Sequence, residues 1–263
     1  MEKVRSSDGT AIAFDRSGEG PPIILIGGAI QHRAMDPTTA KLAALLAPRF
    51  TVSHYDRRGR GDSGDTEPYA VEREVEDLEA LVEVAGGSAF LYGMSSGGAL
   101  ALEAAARGVA ATKLALYEPP FMVGDARARA PADFATRLSE LTATGRRGDA
   151  VELFLSEGPG VPADVIAQMR NEPIWPAMES VAHTLAYDTT IMGDQESLLA
   201  ERAPSVTAPT LVIDGGASPP WMRNAAQALA EKLPNARRRT LEGQTHQVAP
   251  EALGPVLVEF FAG

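Results

Sequence analysis

The run Leu91-Tyr92-Gly93-Met94-Ser95-Ser96-Gly97-Gly98-Ala99-Leu100 constrains this chain more than any other stretch. A short β-like apolar run, 88–92, passes into an Ala/Leu-rich run of helical character, 99–107, through a Gly-x-Ser-x-Gly frame. A serine held on a sharp, strained strand-to-helix turn needs neighbours without a Cβ two positions to either side, and Gly93 and Gly97 supply them. The first backbone N–H groups of the following helix then have no partner within the helix. Ser95 is therefore the expected exposed nucleophile, with the N–H of Ser96 beside it as a donor for a developing oxyanion.

The rest of the chain alternates strand and helix signals around this elbow. Residues 3–7 and 10–15 flank Asp8-Gly9 and read as an edge hairpin closed by a tight two-residue turn. Ile23-Ile24-Leu25-Ile26 is a continuous β-branched run of the kind covered on both faces, and it ends at Gly27-Gly28-Ala29. Asp36-Pro37 caps a helix over 38–46, residues 50–55 form a strand, and residues 69–84 carry apolar positions at helical spacing. Beyond the elbow helix, 113–117 is a strand that meets Glu118-Pro119-Pro120. Residues 121–200 then contain no clear strand, and Pro and Gly break them into short helical pieces. A strand at 209–214, a helix at 221–232, a strand at 237–241 and a helix at 250–261 close the chain. The expected architecture is an α/β fold with a mostly parallel sheet and helices on both faces. Its core would span 1–120 and 201–263, and a helical cap insertion would occupy 121–200.

Composition excludes several classes of partner. A formal net charge of −11 over 263 residues leaves no basic surface for nucleic acid or an anionic membrane. The short clusters Arg57-Arg58 with Arg60, Arg146-Arg147 and Arg237-Arg238-Arg239 are expected to be solvated surface. The absence of cysteine removes disulfides, thiolate metal sites and a cysteine nucleophile. Met1 to Arg5 lacks the apolar core of a leader, and no run approaches ~18 apolar residues, so a soluble cytoplasmic protein is expected. Gly59-Arg60-Gly61-Asp62-Ser63-Gly64 spells the dinucleotide fingerprint in the wrong context: the following Asp65-Thr66-Glu67-Pro68 opens no helix for a pyrophosphate. No cofactor or metal is expected.

Taken together, the strand ending at Gly27-Gly28, the Asp56-Arg57-Arg58-Gly59 loop, the Ser95 elbow, the helical insertion and a late histidine resemble the α/β-hydrolase superfamily over nearly the whole chain. The resemblance implies a triad in the order Ser, acid, His. Of four histidines, His246 follows the last strand, in the loop where the superfamily keeps its general base. His54 lies within a strand and is expected to be structural. His32 and His183, with Trp175 and Trp221, are candidates for a substrate pocket. The oxyanion hole would pair the N–H of Ser96 with one from Gly28 or Ala29. The acid is the departure from the pattern, because the usual position after the 209–214 strand holds Ser218. A triad histidine still needs a buried carboxylate. Glu118, ending the strand after the elbow helix, resembles the glutamate that fungal zearalenone lactonases use there; Asp214 is the alternative.

The expected function is hydrolysis of a small-molecule carboxylic ester or lactone through Ser95, His246 and Glu118. Cofactor-free haloperoxidase-like or C–C bond hydrolysis, and a non-catalytic receptor on the same fold, are the alternatives. Nothing in the sequence fixes the oligomeric state.

Overall fold

The computed structural model describes residues 1–123, 131–193 and 198–263. Eight strands form one sheet: β1 (Glu2–Arg5), β2 (Ala11–Ser17), β3 (Pro22–Ile26), β4 (Thr51–Tyr55), β5 (Ala89–Met94), β6 (Ala111–Tyr117), β7 (Thr210–Gly215) and β8 (Ala236–Leu241), in the order β1-β2-β4-β3-β5-β6-β7-β8. The β1-β2 and β2-β4 pairs are antiparallel and every other pair is parallel.

Strand periodicity sorts the core. Ile24, Ile26, Leu91, Leu114, Leu116 and Val212 face one side and pack against α2 (Val71–Val84), α3 (Ser96–Ala106) and α9 (Pro220–Lys232). Their neighbours Ile23, Leu25, Tyr92, Ala115, Tyr117, Leu211 and Ile213 face the other side, against α1 (Pro37–Leu46) and α10 (Pro250–Ala262). Successive side chains of a strand point to opposite faces, so a sheet covered on both faces must be apolar throughout its length. As its sequence suggests, α1 starts on a side-chain cap: the Asp36 carboxylate accepts from the Thr39 N–H at 2.9 Å.

Between β6 and β7 the described residues form only helical segments: α4 (Phe134–Ala143), α5 (Arg147–Glu157), α6 (Ala163–Met169), α7 (Trp175–Ser180), α8 (Leu185–Met192) and short irregular turns. Phe134, Leu138, Val151, Phe154, Trp175 and Leu185 give α4 to α8 an apolar cluster separate from the two beside the sheet. Residues 124–130 and 194–197 of the expected insertion lie outside the described residues.

Two expectations change. The β1-β2 connection is wider than a two-residue turn, because Ser6 donates to Thr10 O at 2.8 Å and Gly9, at φ +87°, donates back to Ser6 O. Asp8 carries that turn by accepting from the Thr10 N–H at 2.9 Å. The larger correction concerns charge: Arg57, Arg58 and Arg60 are each 1% exposed rather than solvated. They are buried because each guanidinium meets a carboxylate, as in the pairs of Arg57 with Glu74 and of Arg58 with Asp77, both at 2.7 Å. In their loop the Gly59 N–H donates to Gly64 O and the Gly64 N–H to Ala11 O of β2, and no helix begins between the loop and Val71. No helix among the described residues is long and apolar enough to cross a membrane.

The elbow is a close backbone-to-backbone contact. A Cβ on Gly93 would stand 2.3 Å from Gly97 O, and one on Gly97 would stand 2.4 Å from Ile26 O. Both obstacles are backbone and cannot swing aside. Gly97→Ala is therefore expected to cost on the order of 1–3 kcal/mol, measured as a lower urea midpoint at unchanged m-value; a midpoint equal to wild type would show that the contact is looser than described.

Candidate active site

Ser95 sits between β5 and α3 at φ 54° and ψ −125°, a region that residues bearing a side chain rarely adopt. Such a conformation costs on the order of 1–3 kcal/mol and persists only where its surroundings impose it. Here its N–H donates to Tyr117 O at 2.9 Å, extending the β5-β6 pairing one residue past the strand. Ser95 is half-buried, whereas Ser96 is buried.

Glu118 is the second strained residue, at φ 43°, and it is fully buried. Its N–H donates to Ile213 O at 3.0 Å, which ties the end of β6 to β7. The side chain then passes the end of β7, where the Gly215 N–H donates to Oε1 at 2.8 Å. On the far side Oε2 lies 2.8 Å from His246 Nδ1. Burial alone would push the Glu118 carboxyl up, but hydrogen bonding with His246 and the Gly215 N–H outweighs it and holds the carboxyl below the usual range. A carboxylate can only accept, so His246 Nδ1 carries a proton, and the neutral ring has Nε2 as its acceptor.

Two strands separate Glu118 from the loop that carries His246, and a close approach of backbone brings them together. A Cβ on Gly215 would stand 2.4 Å from Gln244 O, so the loop after β8 lies directly across the end of β7. Ala217 N–H donates to Gln244 O at 2.9 Å, and the Tyr117 hydroxyl donates to Thr245 O at 2.6 Å. His246 is thereby held on both sides and remains 31% exposed, open to a reactant.

Asp214, the alternative acid, is also fully buried, but its oxygens accept from Arg238 Nε at 2.8 Å, Arg238 Nη2 at 3.0 Å and Thr240 Oγ1 at 3.2 Å. Ser218, at the superfamily's usual acid position, is buried beside the Glu118 carboxyl.

The candidate oxyanion loop follows β3. Gly28 lies against Ser95, since a Cβ on it would stand 3.1 Å from Ser95 Cβ. The Gly28 N–H is spent on Gln31 Oε1 at 2.5 Å, which leaves Ala29 as the donor of that pair able to work with Ser96. Arg60 Nη1 donates to Gly28 O at 2.6 Å. Sequence reasoning missed this buried arginine, and also Asp188 of α8, which accepts from Arg57, Arg60 and the Ser96 hydroxyl at 2.7 Å each. The available signal was an acid among Leu185, Ala186, Ile191 and Met192, where a solvated residue is out of place.

The four pocket candidates lie in different surroundings. Trp175 belongs to the interior of the α4 to α8 cluster: it is 4% exposed, its indole N–H donates to Glu179 Oε1 at 3.0 Å, and Arg170 covers its ring at 5.4 Å. A ring enclosed in this way is core, which corrects the expectation that it lines a pocket. His183 lies 3.5 Å from Asp65 Oδ2 and edge-on to Tyr187. His32 is half-buried among Asp56, Arg60, Arg33 and Asp62, with burial lowering its pKa. Trp221 is half-buried at the first turn of α9. His54, as expected, is enclosed in β4. Among the described residues no group of His, Asp and Glu has the arrangement of a metal site.

Residues 23–253 match the model of the alpha/beta hydrolase family, and the chain belongs to that family. An alpha/beta hydrolase from Sphaerobacter thermophilus DSM 20745 is 60% identical over 99% of this chain and 100% of its own, with a TM-score of 0.92. The enol-lactonase from Burkholderia xenovorans LB400 is 22% identical over the full length of both chains, with a TM-score of 0.73. The 2-hydroxy-6-oxo-6-phenylhexa-2,4-dienoate hydrolase from Rhodococcus sp. strain RHA1 is 23% identical over 100% of this chain and 99% of its own, with a TM-score of 0.70. The last two share the fold. No curated protein matches the sequence.

Two measurements separate the carboxylates. Asp214→Asn is expected to lower stability by about 1–3 kcal/mol, because it weakens charged hydrogen bonds to Arg238, while turnover stays within a few-fold; loss of turnover would make Asp214 the acid. Glu118 has a folded pKa below its usual 4.5, so its contribution to stability is complete above that value and is lost as pH falls through the lower folded one. The gap in thermal midpoint between wild type and Glu118→Gln should accordingly narrow on acidification below pH 4.5, and a gap that widens there would contradict the sign of the shift.

Proposed function

We propose that this alpha/beta hydrolase cleaves a carboxylic ester or lactone through Ser95, His246 and Glu118, by way of an acyl-enzyme. The observation that carries the reading is the 2.8 Å pair of Glu118 Oε2 and His246 Nδ1, with its carboxylate fully buried. That pair fixes the tautomer in which Nε2 is the base. His246 Nε2 takes the Ser95 proton as Oγ attacks the carbonyl carbon, and the Ser96 and Ala29 N–H groups hold the oxygen that becomes negative. The imidazolium, steadied by Glu118, returns its proton to the leaving alkoxide. A water then repeats the sequence on the acyl-enzyme, with His246 again as base and Ser95 as leaving group. In this scheme the helices of 121–200 act as a cap over the substrate.

The enol-lactonase fold-mate adds weight to the ester or lactone class. A C–C bond hydrolase would use the same three residues, and its case rests on the dienoate hydrolase that shares the fold. The receptor alternative drew on the missing acid at Ser218; a carboxylate supplied from the neighbouring strand removes that support.

Ser95→Ala is expected to abolish hydrolysis of p-nitrophenyl esters with little change in thermal midpoint. Glu118→Gln preserves volume and removes charge, so kcat should fall by about 10³ to 10⁴. Fluorophosphonate labelling mapped to Ser95 checks the nucleophile, and ester turnover by Ser95→Ala within a few-fold of wild type would sink the mechanism.

A further inference from the structure

An oxyanion hole is made of two backbone donors, and here they lie on different segments: Ser96 at the start of α3, and Ala29 in the loop after β3. The β3-β5 pairing and the contact of Gly97 with Ile26 O bring the two segments together, but neither fixes the direction in which the Ala29 N–H points. Preorganisation matters because a donor contributes fully only when it is already aimed at the transition-state oxygen.

One carboxylate reaches both segments. Asp188 Oδ1 accepts from the Ser96 hydroxyl at 2.7 Å, on the residue whose N–H is one donor. Asp188 Oδ2 accepts from Arg60 Nη2 at 2.7 Å, and Arg60 Nη1 donates to Gly28 O at 2.6 Å. The Gly28 carbonyl and the Ala29 N–H belong to the same planar trans peptide and point in opposite directions. Pulling Gly28 O onto Arg60 therefore aims the Ala29 N–H to the opposite side.

Arg57 closes the network. Its Nη1 donates to Asp188 Oδ1 at 2.7 Å and lies 3.3 Å from Ser96 Oγ, while Nε and Nη2 are held by Glu74 at 2.7 and 2.8 Å. Arg60 Nε donates to Thr184 Oγ1 at 3.1 Å, just before α8. Asp188, Arg57, Arg60 and Ser96 are all between 0 and 1% exposed, so solvent cannot substitute for any partner.

We infer that Asp188, contributed by α8, is a positioning residue that sets the oxyanion hole by holding Ser96 directly and the Gly28-Ala29 peptide through Arg60. The inference rests on the proposed serine mechanism and extends it: the helical segment between β6 and β7 is then part of the catalytic apparatus through a carboxylate that is itself fully buried. An active site assembled without α8 would keep Ser95, His246 and Glu118 and lose the alignment of its two donors.

The test compares wild type with Asp188→Asn, Arg60→Lys and Ser96→Ala on p-nitrophenyl butyrate, with active sites titrated by a fluorophosphonate so that rates refer to folded enzyme. A trifluoromethyl ketone, which forms a tetrahedral oxyanion on the serine, is measured beside butyramide, which resembles the ground state. Asp188→Asn and Arg60→Lys should lower kcat by about 10- to 10³-fold. They should weaken the ketone by the same factor and leave KM and the butyramide constant within about threefold. Ser96→Ala removes one hydroxyl and keeps its N–H, so it should fold even where Asp188→Asn does not, and it should show the same pattern at about tenfold. A purely structural role would reduce the titratable fraction and leave kcat per active site and the ketone constant unchanged. That result in Ser96→Ala and in whichever of the other two variants folds would overturn the inference. Failure of wild type to be labelled at Ser95 would instead overturn the serine mechanism on which it rests.

Discussion

Everything at the site depends on how closely α3 is driven into the ends of β3 and β5. Two glycines allow Gly97 to stand against Ile26 O and Gly93 against Gly97 O, at separations no side chain could share. The cost is a serine in a conformation serines avoid. The return is geometric: the helix begins at Ser96, directly after the serine, and its first amides have no partner within the helix. The sheet supplies the rigidity, since Ser95 and Glu118 both continue backbone pairing beyond their strands and are held one strand apart.

The charged loop after β4 adds a second layer. Arg57, Arg58 and Arg60 sit deep in the molecule, each answered by a carboxylate, and desolvation makes any unmatched member expensive. The three arginines reach α2, the oxyanion loop, the elbow and α8. They add directional bonds to segments that also share apolar packing, since Val75 and Leu78 of α2, Leu100 of α3 and Ile191 of α8 lie in one cluster.

Much of the fold was legible because its signals are local. The run of Ile23 to Ile26, the Asp36 cap and the Gly-x-Ser-x-Gly frame each dictate their structure within a few residues, and the strands and helices fall where those patterns put them. Glu118 was legible only by resemblance, because nothing in Tyr117-Glu118-Pro119 reports that its carboxylate passes under Gly215 to an imidazole 128 residues away. The arginines were misread for the opposite reason: three cations in a glycine-rich, polar stretch look solvated until Glu74, Asp77 and Asp188 are folded around them. Trp175 was misassigned because an aromatic beside a proline suits a pocket wall and a core equally well, and the choice is made by Arg170 and Glu179.

The helices between β6 and β7 keep an apolar interior of their own; beyond the packing of Ile191 beside the sheet, they are tied to it by polar and aromatic contacts that include Asp188, the stacked pair of Tyr69 and Tyr187 at 3.8 Å, and the Tyr187 hydroxyl on Asp65. A module built this way can drift in sequence. Its inner packing can be rewritten, helix by helix, without altering what the sheet presents, provided those anchor points persist. If the module covers the substrate as proposed, substrate range can evolve quickly within it while the reaction stays constant, and the slowest-changing position in that fast-changing region is expected to be the fully buried carboxylate of Asp188.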